Sequence, residues 1–353
     1  MVWRMPTRRR LTTAGCSLLV CLFGLAGSAQ GALLTPPNGK VFTGVSDNGT
    51  LSGYDNFTDS VGKHPAILQT FHPWGNGLDL AYQRWQNAGV RPMLHISTAD
   101  DETRAELITP KKIAKGKGDD YLLSINSFFF TKGLPAYIRP LGEPNRCLNP
   151  YSAVYCSGKS KGGSHSTTWY KRAFQRIALI TRGGKSTKAI DKDLRKLKMP
   201  KINFGLSPRH SFLPTAPISV VWSPLPAGSP KVKGNFPRDY WPGSRYVDWA
   251  GTDFYSNYPY WKDLDKFMKG KPWRKKPVAM TEWGVVHKDD VKFTRKMFHW
   301  VNRQPRVKML SYYRGFGIKD PYNDYYYPHA MKVARHFLKS SRYLAFAPEH
   351  AAK

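Results

Sequence analysis

Cysteine is scarce: the 353 residues contain four. Two of them, Cys16 and Cys21, sit in an apolar N-terminal run, leaving Cys147 and Cys156 for the rest of the chain. Two thiols are too few for a structural zinc site, and no group of His, Asp and Glu has metal-ligand spacing, so no metal or other cofactor is expected. Acidic residues are also few, 24 against 55 Lys and Arg, for a net charge of +31. That imbalance favours anionic partners such as cell-envelope polymers. The basic residues fall in scattered runs (110–118, 185–198 and 269–276). None of the motifs of the usual nucleic-acid-binding folds accompanies them, so no specific nucleic-acid partner is expected. Beyond the N-terminus no uninterrupted apolar run is long enough for a membrane span. No glycine-rich phosphate loop follows the first strand-like segment, which argues against a doubly wound nucleotide-binding sheet.

What is present begins with a targeting segment. Arg4, Arg8, Arg9 and Arg10 form a basic region, AGCSLLVCLFGLAG (14–27) an apolar one, and SAQGA supplies small residues for cleavage between Ala29 and Ala32. Residues 1–31 therefore read as a signal peptide and 32–353 as a single domain, secreted or cell-wall-associated. The run TRRRL (7–11) also fits twin-arginine export, and an uncleaved anchor is the alternative. In an oxidising compartment Cys147 and Cys156 are expected to form a disulfide, contributing roughly 2 to 3 kcal/mol through loop closure.

Short apolar stretches recur with turn signals between them. They read as strands over 41–45, 66–70, 92–96, 136–139, 219–222, 249–254, 277–281 and 308–312. The fifth is the weakest, because 202–206 competes for its place in a long segment rich in proline and glycine. LDLAYQRWQNAG (78–89), 167–184 and 290–304 have helical spacing; the first ends at glycine and the last starts at an aspartate suited to an N-cap. Eight buried strands alternating with helices predict the α/β class and a (β/α)₈ TIM barrel.

In such a barrel the residues ending the strands converge on one face. Strand four ends in Arg139, Glu143 and Asn145, and strand seven in Glu282 with Trp283 beside it. Strand two offers His72 and Trp74, strand three His95, strand five Trp222, strand six Asp253 and Tyr255, and strand eight Tyr313 or Tyr312. Glutamates on strands four and seven would face each other across the barrel mouth. Paired carboxyls ringed by aromatics suit glycoside hydrolysis: one protonates the leaving oxygen, the other attacks or stabilises the anomeric carbon. Aromatic rings give flat platforms for sugars. Arg139 would keep a neighbouring carboxylate ionised. His72, His95, Trp222 and Trp283 are either subsite residues or core, Trp74 is a further substrate-binding candidate, and Asp253 is either a sugar contact or the cap of the following helix.

The stretches YIRPLGEPN, VVWSPLPAG, YWPGSRYVDWAGTDFYSNYP and VAMTEWG resemble glycoside hydrolase family 26, within the larger clan of retaining (β/α)₈ glycosidases. By that resemblance Glu143 is the acid/base, Glu282 the nucleophile, Tyr255 a hydrogen-bond donor to it, and Trp222 the floor of the cleavage subsite. The implied activity is a retaining endo-β-glycosidase acting on polysaccharide, mannan first. Two features depart from the pattern. Gly142 replaces the histidine or asparagine that precedes the acid/base, and RCLNPYSAVYCSGKSKGG replaces a tryptophan-rich segment. The alternative reading is a non-catalytic carbohydrate-binding or wall-associated protein on a retained barrel. Asparagine at position 142 is expected to help turnover if the space there is empty.

Overall fold

Eight parallel strands close into a ring in the computed structural model, which describes residues 33–205, 208–317 and 319–351. They are β1 (Val41–Ser46), β2 (Ile67–Pro73), β3 (Arg91–Ser97), β4 (Ala136–Pro140), β5 (Ile218–Trp222), β6 (Trp249–Tyr255), β7 (Val278–Gly284) and β8 (Val307–Tyr312). Each pairs in parallel with the next, and β8 pairs with β1 to close the barrel. The outer helices are α1 (Leu51–Val61), α2 (Asp79–Ala88), α3 (Pro110–Ala114), α4 (Asp119–Lys132), α5 (Thr167–Arg182), α6 (Thr187–Lys196), α7 (Trp261–Met268), α8 (Val291–Arg303) and α9 (Pro328–Leu338). The expected (β/α)₈ barrel and all eight strand positions are therefore observed. Of the segment competing with β5, residues 202–205 form no strand, and Leu206 lies outside the described residues, as do the signal segment and Cys16 and Cys21.

Local chemistry sets the element ends. Asp290 caps α8 by accepting from the Phe293 amide, and Gly89 ends α2 at φ 60°, a left-handed conformation suited to glycine. Ser166 caps α5, and its buried face (Tyr170, Ala173, Phe174, Ile177) recurs at three- and four-residue spacing. Among the described residues no helix is long and apolar enough to cross a membrane.

Two apolar layers hold the barrel. Inside, each strand gives one residue to a plug: Phe42, Ile67, Met93, Tyr137, Val221, Trp249, Ala279 and Met309, all buried. Alternate residues point outward and pack under the helices. The plug fills the lower barrel, so polar residues one step further along the strands are lifted to the mouth.

Candidate active site

β7 presents its glutamate by breaking the two-residue alternation of a strand. Ala279 belongs to the inner plug and Met280 to the outer core. Strict alternation would then send Thr281 inward and Glu282 outward. The pairing with β6 shifts here: Thr252 opposes Met280, and Asp253 opposes Glu282, leaving Thr281 as the extra residue. A bulge of this kind re-aims side chains. Thr281 donates to Asp253 at 2.6 Å while Glu282 also faces the interior, and Trp283 returns outward.

Arg139 of β4 is the hub beneath the mouth. Its fully buried guanidinium donates to Ser223 Oγ at 2.6 Å, to Gln69 Oε1 at 3.1 Å, and to the carboxylates of Glu282 and Asp253. Gln69 also donates to Glu282 Oε1 at 3.3 Å, and the Tyr255 hydroxyl donates to Glu282 Oε2. Both oxygens of Glu282 are thus held by fixed donors, while its side chain keeps 8% exposure toward the mouth. Burial alone would lower the Arg139 pKa, but Asp253 and Glu282 outweigh it and push it up, so the guanidinium stays charged. Burial is the largest influence on Asp253 and raises its carboxyl well above the usual range; Arg139 opposes this, and Glu282, sharing the same guanidinium, adds to it. Burial, then Glu282, raises the Tyr255 phenol, which keeps it a donor.

Glu143 follows β4 in an unusual turn. Leu141 and Glu143 adopt left-handed backbone, φ 51° and 49°, on either side of Gly142. Such positions cost of order 1 to 3 kcal/mol each and persist where the surroundings over-determine them. Here the Leu141 amide donates to Ile96 and the Glu143 amide to Ser223 O at 2.7 Å, tying the turn to β3 and to the end of β5. Tyr151 and Asn149 donate to the carbonyls of Gly142 and Glu143 at 2.6 and 2.9 Å. The Glu143 side chain is 11% exposed and pairs with Arg146 at 3.0 Å. The Glu143 amide is bound to Ser223, whose hydroxyl accepts from the same Arg139 guanidinium that holds Glu282, so the two carboxyls stand at the same end of the barrel.

The space beside Gly142 is occupied. A Cβ there would meet His95 Nε2 at 2.8 Å and Arg139 Cζ and Nε at 2.9 Å. The Gly142 amide donates to His95 Nε2 at 3.1 Å, which places the ring proton on Nδ1. Burial, then Arg139, holds the His95 pKa well below its ordinary value, so the ring stays neutral. The conditional expectation of empty space for an asparagine is therefore overturned by His95 and Arg139.

Aromatic side chains line the mouth. Tyr313 contacts Phe71, Tyr255, Phe316 and Tyr322 edge-on, at 5.1 to 6.5 Å between ring centres. Tyr312 instead packs outward on Phe57 and Trp283, which settles the choice between the two tyrosines.

Several expected contacts lie elsewhere. Trp222 has no exposed surface; it faces outward and packs on Trp241, Phe267 and Trp273, so it is no sugar platform. Trp283 is likewise outer core, against Phe298 and Tyr312. His72 bonds the Asn76 carbonyl at 2.9 Å and stacks on Tyr121 of α4, with Trp74 on the same ring. Asn145 clamps the β5 loop, donating to Leu225 and Ala227 carbonyls and accepting from the Leu225 amide at 2.8 Å. Arg139 and Asp253 are sealed below the surface, where Arg139 bridges the carboxylates of Asp253 and Glu282. The residues of the mouth and its floor that were not anticipated are Gln69, Phe71, Arg146, Ser223, Thr281, Phe316 and Tyr322. A polar residue inside the apolar run AILQTF was the available signal for Gln69.

The disulfide is present: Cys147 and Cys156 are joined at 1.99 Å, in the loop that follows Glu143.

No protein-family profile and no curated protein matches this chain. Solved structures do. The catalytic domain of the endo-β-1,4-mannanase from Bacillus sp. JAMB-750 superposes with a TM-score of 0.58 at 15% identity, covering 92% of this chain and 93% of that one. A β-mannanase from Bacteroides ovatus gives 0.58 at 16%, covering 91% and 95%. GH26A from a Muricauda species gives 0.55 at 16%, covering 88% and 93%. These likenesses establish architecture: the chain has the (β/α)₈ fold of the glycoside hydrolase family 26 structures.

Proposed function

We propose that the chain is an exported glycoside hydrolase that cleaves β-linked polysaccharide with retention of configuration. The observation that carries this reading is the anchoring of Glu282. Both of its oxygens accept from fixed donors on Arg139, Gln69 and Tyr255, and Glu143 opens into the same mouth. Fixed donors hold the nucleophile in one orientation before substrate arrives. In the first step a Glu282 oxygen attacks the anomeric carbon while Glu143 gives its proton to the glycosidic oxygen, and the glycosidic bond breaks. In the second step Glu143 takes a proton from water, the water oxygen attacks the anomeric carbon, and the Glu282 ester bond breaks. Phe71, Tyr313, Phe316 and Tyr322 supply apolar faces for sugar rings, and no metal is needed by this chemistry. Mannan is the favoured polymer, because the solved structures sharing the fold include mannanases.

A second reading, carbohydrate binding without turnover, draws on the ion pair that engages Glu143. A panel of β-linked polysaccharides incubated with the purified protein and with Glu282→Gln separates the two. New reducing ends from the wild type alone support hydrolysis. Binding by both proteins with no new ends supports the second reading.

A further inference from the structure

Arg146 is a cation placed at the mouth, where it pairs with Glu143. Its backbone is pinned on both sides. The Arg146 amide donates to Glu143 O at 3.0 Å, the Cys147 amide to Ser229 O at 2.7 Å, and the Ser229 amide to Asn145 O at 2.9 Å. The Cys147–Cys156 disulfide closes the loop immediately after it. The side chain is free by comparison: 43% exposed, where Arg139 has no exposure. Among the described residues its one hydrogen-bond partner is Glu143 Oε2, at 3.0 Å. Glu143 is the main influence raising its pKa, with Tyr255 and Glu282 contributing, so the guanidinium lies close to the reacting groups.

The Arg146–Glu143 pair is complementary only while Glu143 is a carboxylate. The first step of the proposed reaction needs Glu143 as a carboxylic acid. In that state Arg146 faces the cleft with no anion hydrogen-bonded to it among the described residues, since Glu282 is already held by Arg139, Gln69 and Tyr255. A neutral polysaccharide supplies no replacement, whereas an acidic sugar does. The whole chain is biased the same way, with 55 basic against 24 acidic residues, which raises the local concentration of a polyanion.

We propose that Arg146 recognises the substrate, selecting β-linked polysaccharide whose sugars carry an anionic substituent, a carboxylate or a sulfate ester, beside the bond that is cleaved. The inference rests on the hydrolase reading given above and narrows its substrate class from plain mannan to a β-linked polymer, mannan backbone included, that carries acidic groups. An incoming substituent takes the guanidinium as Glu143 releases it, so an acidic sugar is bound in the same exchange that frees the acid for proton transfer. Guanidinium pairs carboxylate and sulfate through directed, charge-assisted hydrogen bonds, for which a glutamine is a poor substitute.

The test compares three forms of one backbone polymer at matched length: native, oxidised at C6 to the carboxylate, and sulfated. Wild type, Arg146→Gln and Arg146→Lys are assayed on each for kcat/KM. The expected result is a preference of about ten-fold or more for an anionic form over the neutral one, as for a charge-assisted contact. The preference disappears in Arg146→Gln and is partly kept in Arg146→Lys, and the carboxylated and sulfated arms show which anion fits. Equal loss on all three polymers in Arg146→Gln would show that Arg146 only positions Glu143, and would overturn the proposal. A binding arm, calorimetry with the same oligosaccharides in Glu282→Gln, separates this inference from the hydrolase reading. Charge-selective binding that depends on Arg146, without hydrolysis by wild type, sinks the hydrolase reading and leaves the recognition role standing. Hydrolysis without charge selectivity does the reverse.

Discussion

Replacing Arg139 by methionine removes the cation beneath the site and leaves a side chain of similar length and apolar character. The cost is then mainly electrostatic. Arg139 and Asp253 side chains have no exposure, and Glu282 has 8%. Without the guanidinium, Asp253 keeps Thr281 as its side-chain donor among the described residues, and Glu282 keeps Gln69 and Tyr255. Removing one partner of a buried ion pair costs about 3 to 5 kcal/mol. At about 2 to 4 °C per kcal/mol for a domain of this order of size, Tm should fall by roughly 6 to 20 °C. The sign of the pH dependence follows from Asp253. Burial already raises its folded pKa, and losing Arg139 raises it further. A group whose folded pKa is raised contributes stability at low pH that is lost as pH rises through the folded value. The deficit of the variant relative to wild type should therefore be larger at pH 8 than at pH 5. Scanning calorimetry at both pH values measures it, and activity should fall with the loosened Glu282. A Tm within 2 °C of wild type at both would refute the hub.

Other perturbations probe separate parts of the site. Gly142→Asn should lower turnover and cost about 1 to 3 kcal/mol of stability, because its Cβ meets His95 and a locked Arg139; wild-type Tm with raised activity would contradict this. Tyr255→Phe removes one fixed donor from Glu282 and should cut kcat by roughly ten-fold with little change in Tm, read by steady-state kinetics and calorimetry. Reducing the Cys147–Cys156 bond should lower activity before the barrel unfolds, since the bridged loop begins directly after Arg146; circular dichroism and activity followed together along a reductant titration should separate. Coincident loss of both signals would show that the disulfide holds the whole fold.

The barrel was legible because its strands are short, apolar and punctuated by turns, and the helix ends carried their caps in sequence, as at Asp290 and Gly89. Glu282 stood out in the sequence as a carboxylate ending an apolar run, and Glu143 as a carboxylate just beyond the fourth strand; the fold brings both to the ends of their strands. Side-chain direction was not legible. Trp222 and Trp283 end strands as promisingly as Tyr255, but alternation sends Trp222 under the helices, and in β7 the bulge turns Glu282 inward and Trp283 outward, against strict alternation. A one-residue irregularity leaves no mark in composition or periodicity. Gly142 raised the opposite difficulty: a missing side chain reads as empty space, whereas His95 from the adjacent β3 and Arg139 from β4 itself fill it. Ser223 was hidden because its role exists only through Arg139.

The central claim is that Glu282 forms a covalent bond to the sugar with Glu143 as its acid/base. It is tested most directly by Glu282→Ala assayed with an aryl β-glycoside of the polymer the wild type cleaves, with and without sodium azide. Without azide the variant should be inactive. With azide, turnover should return in part and the product should be an α-glycosyl azide, formed as azide enters the space left by the carboxylate. Full activity of Glu282→Ala without azide, or a β-configured azide product, would contradict the assignment of Glu282 as the nucleophile.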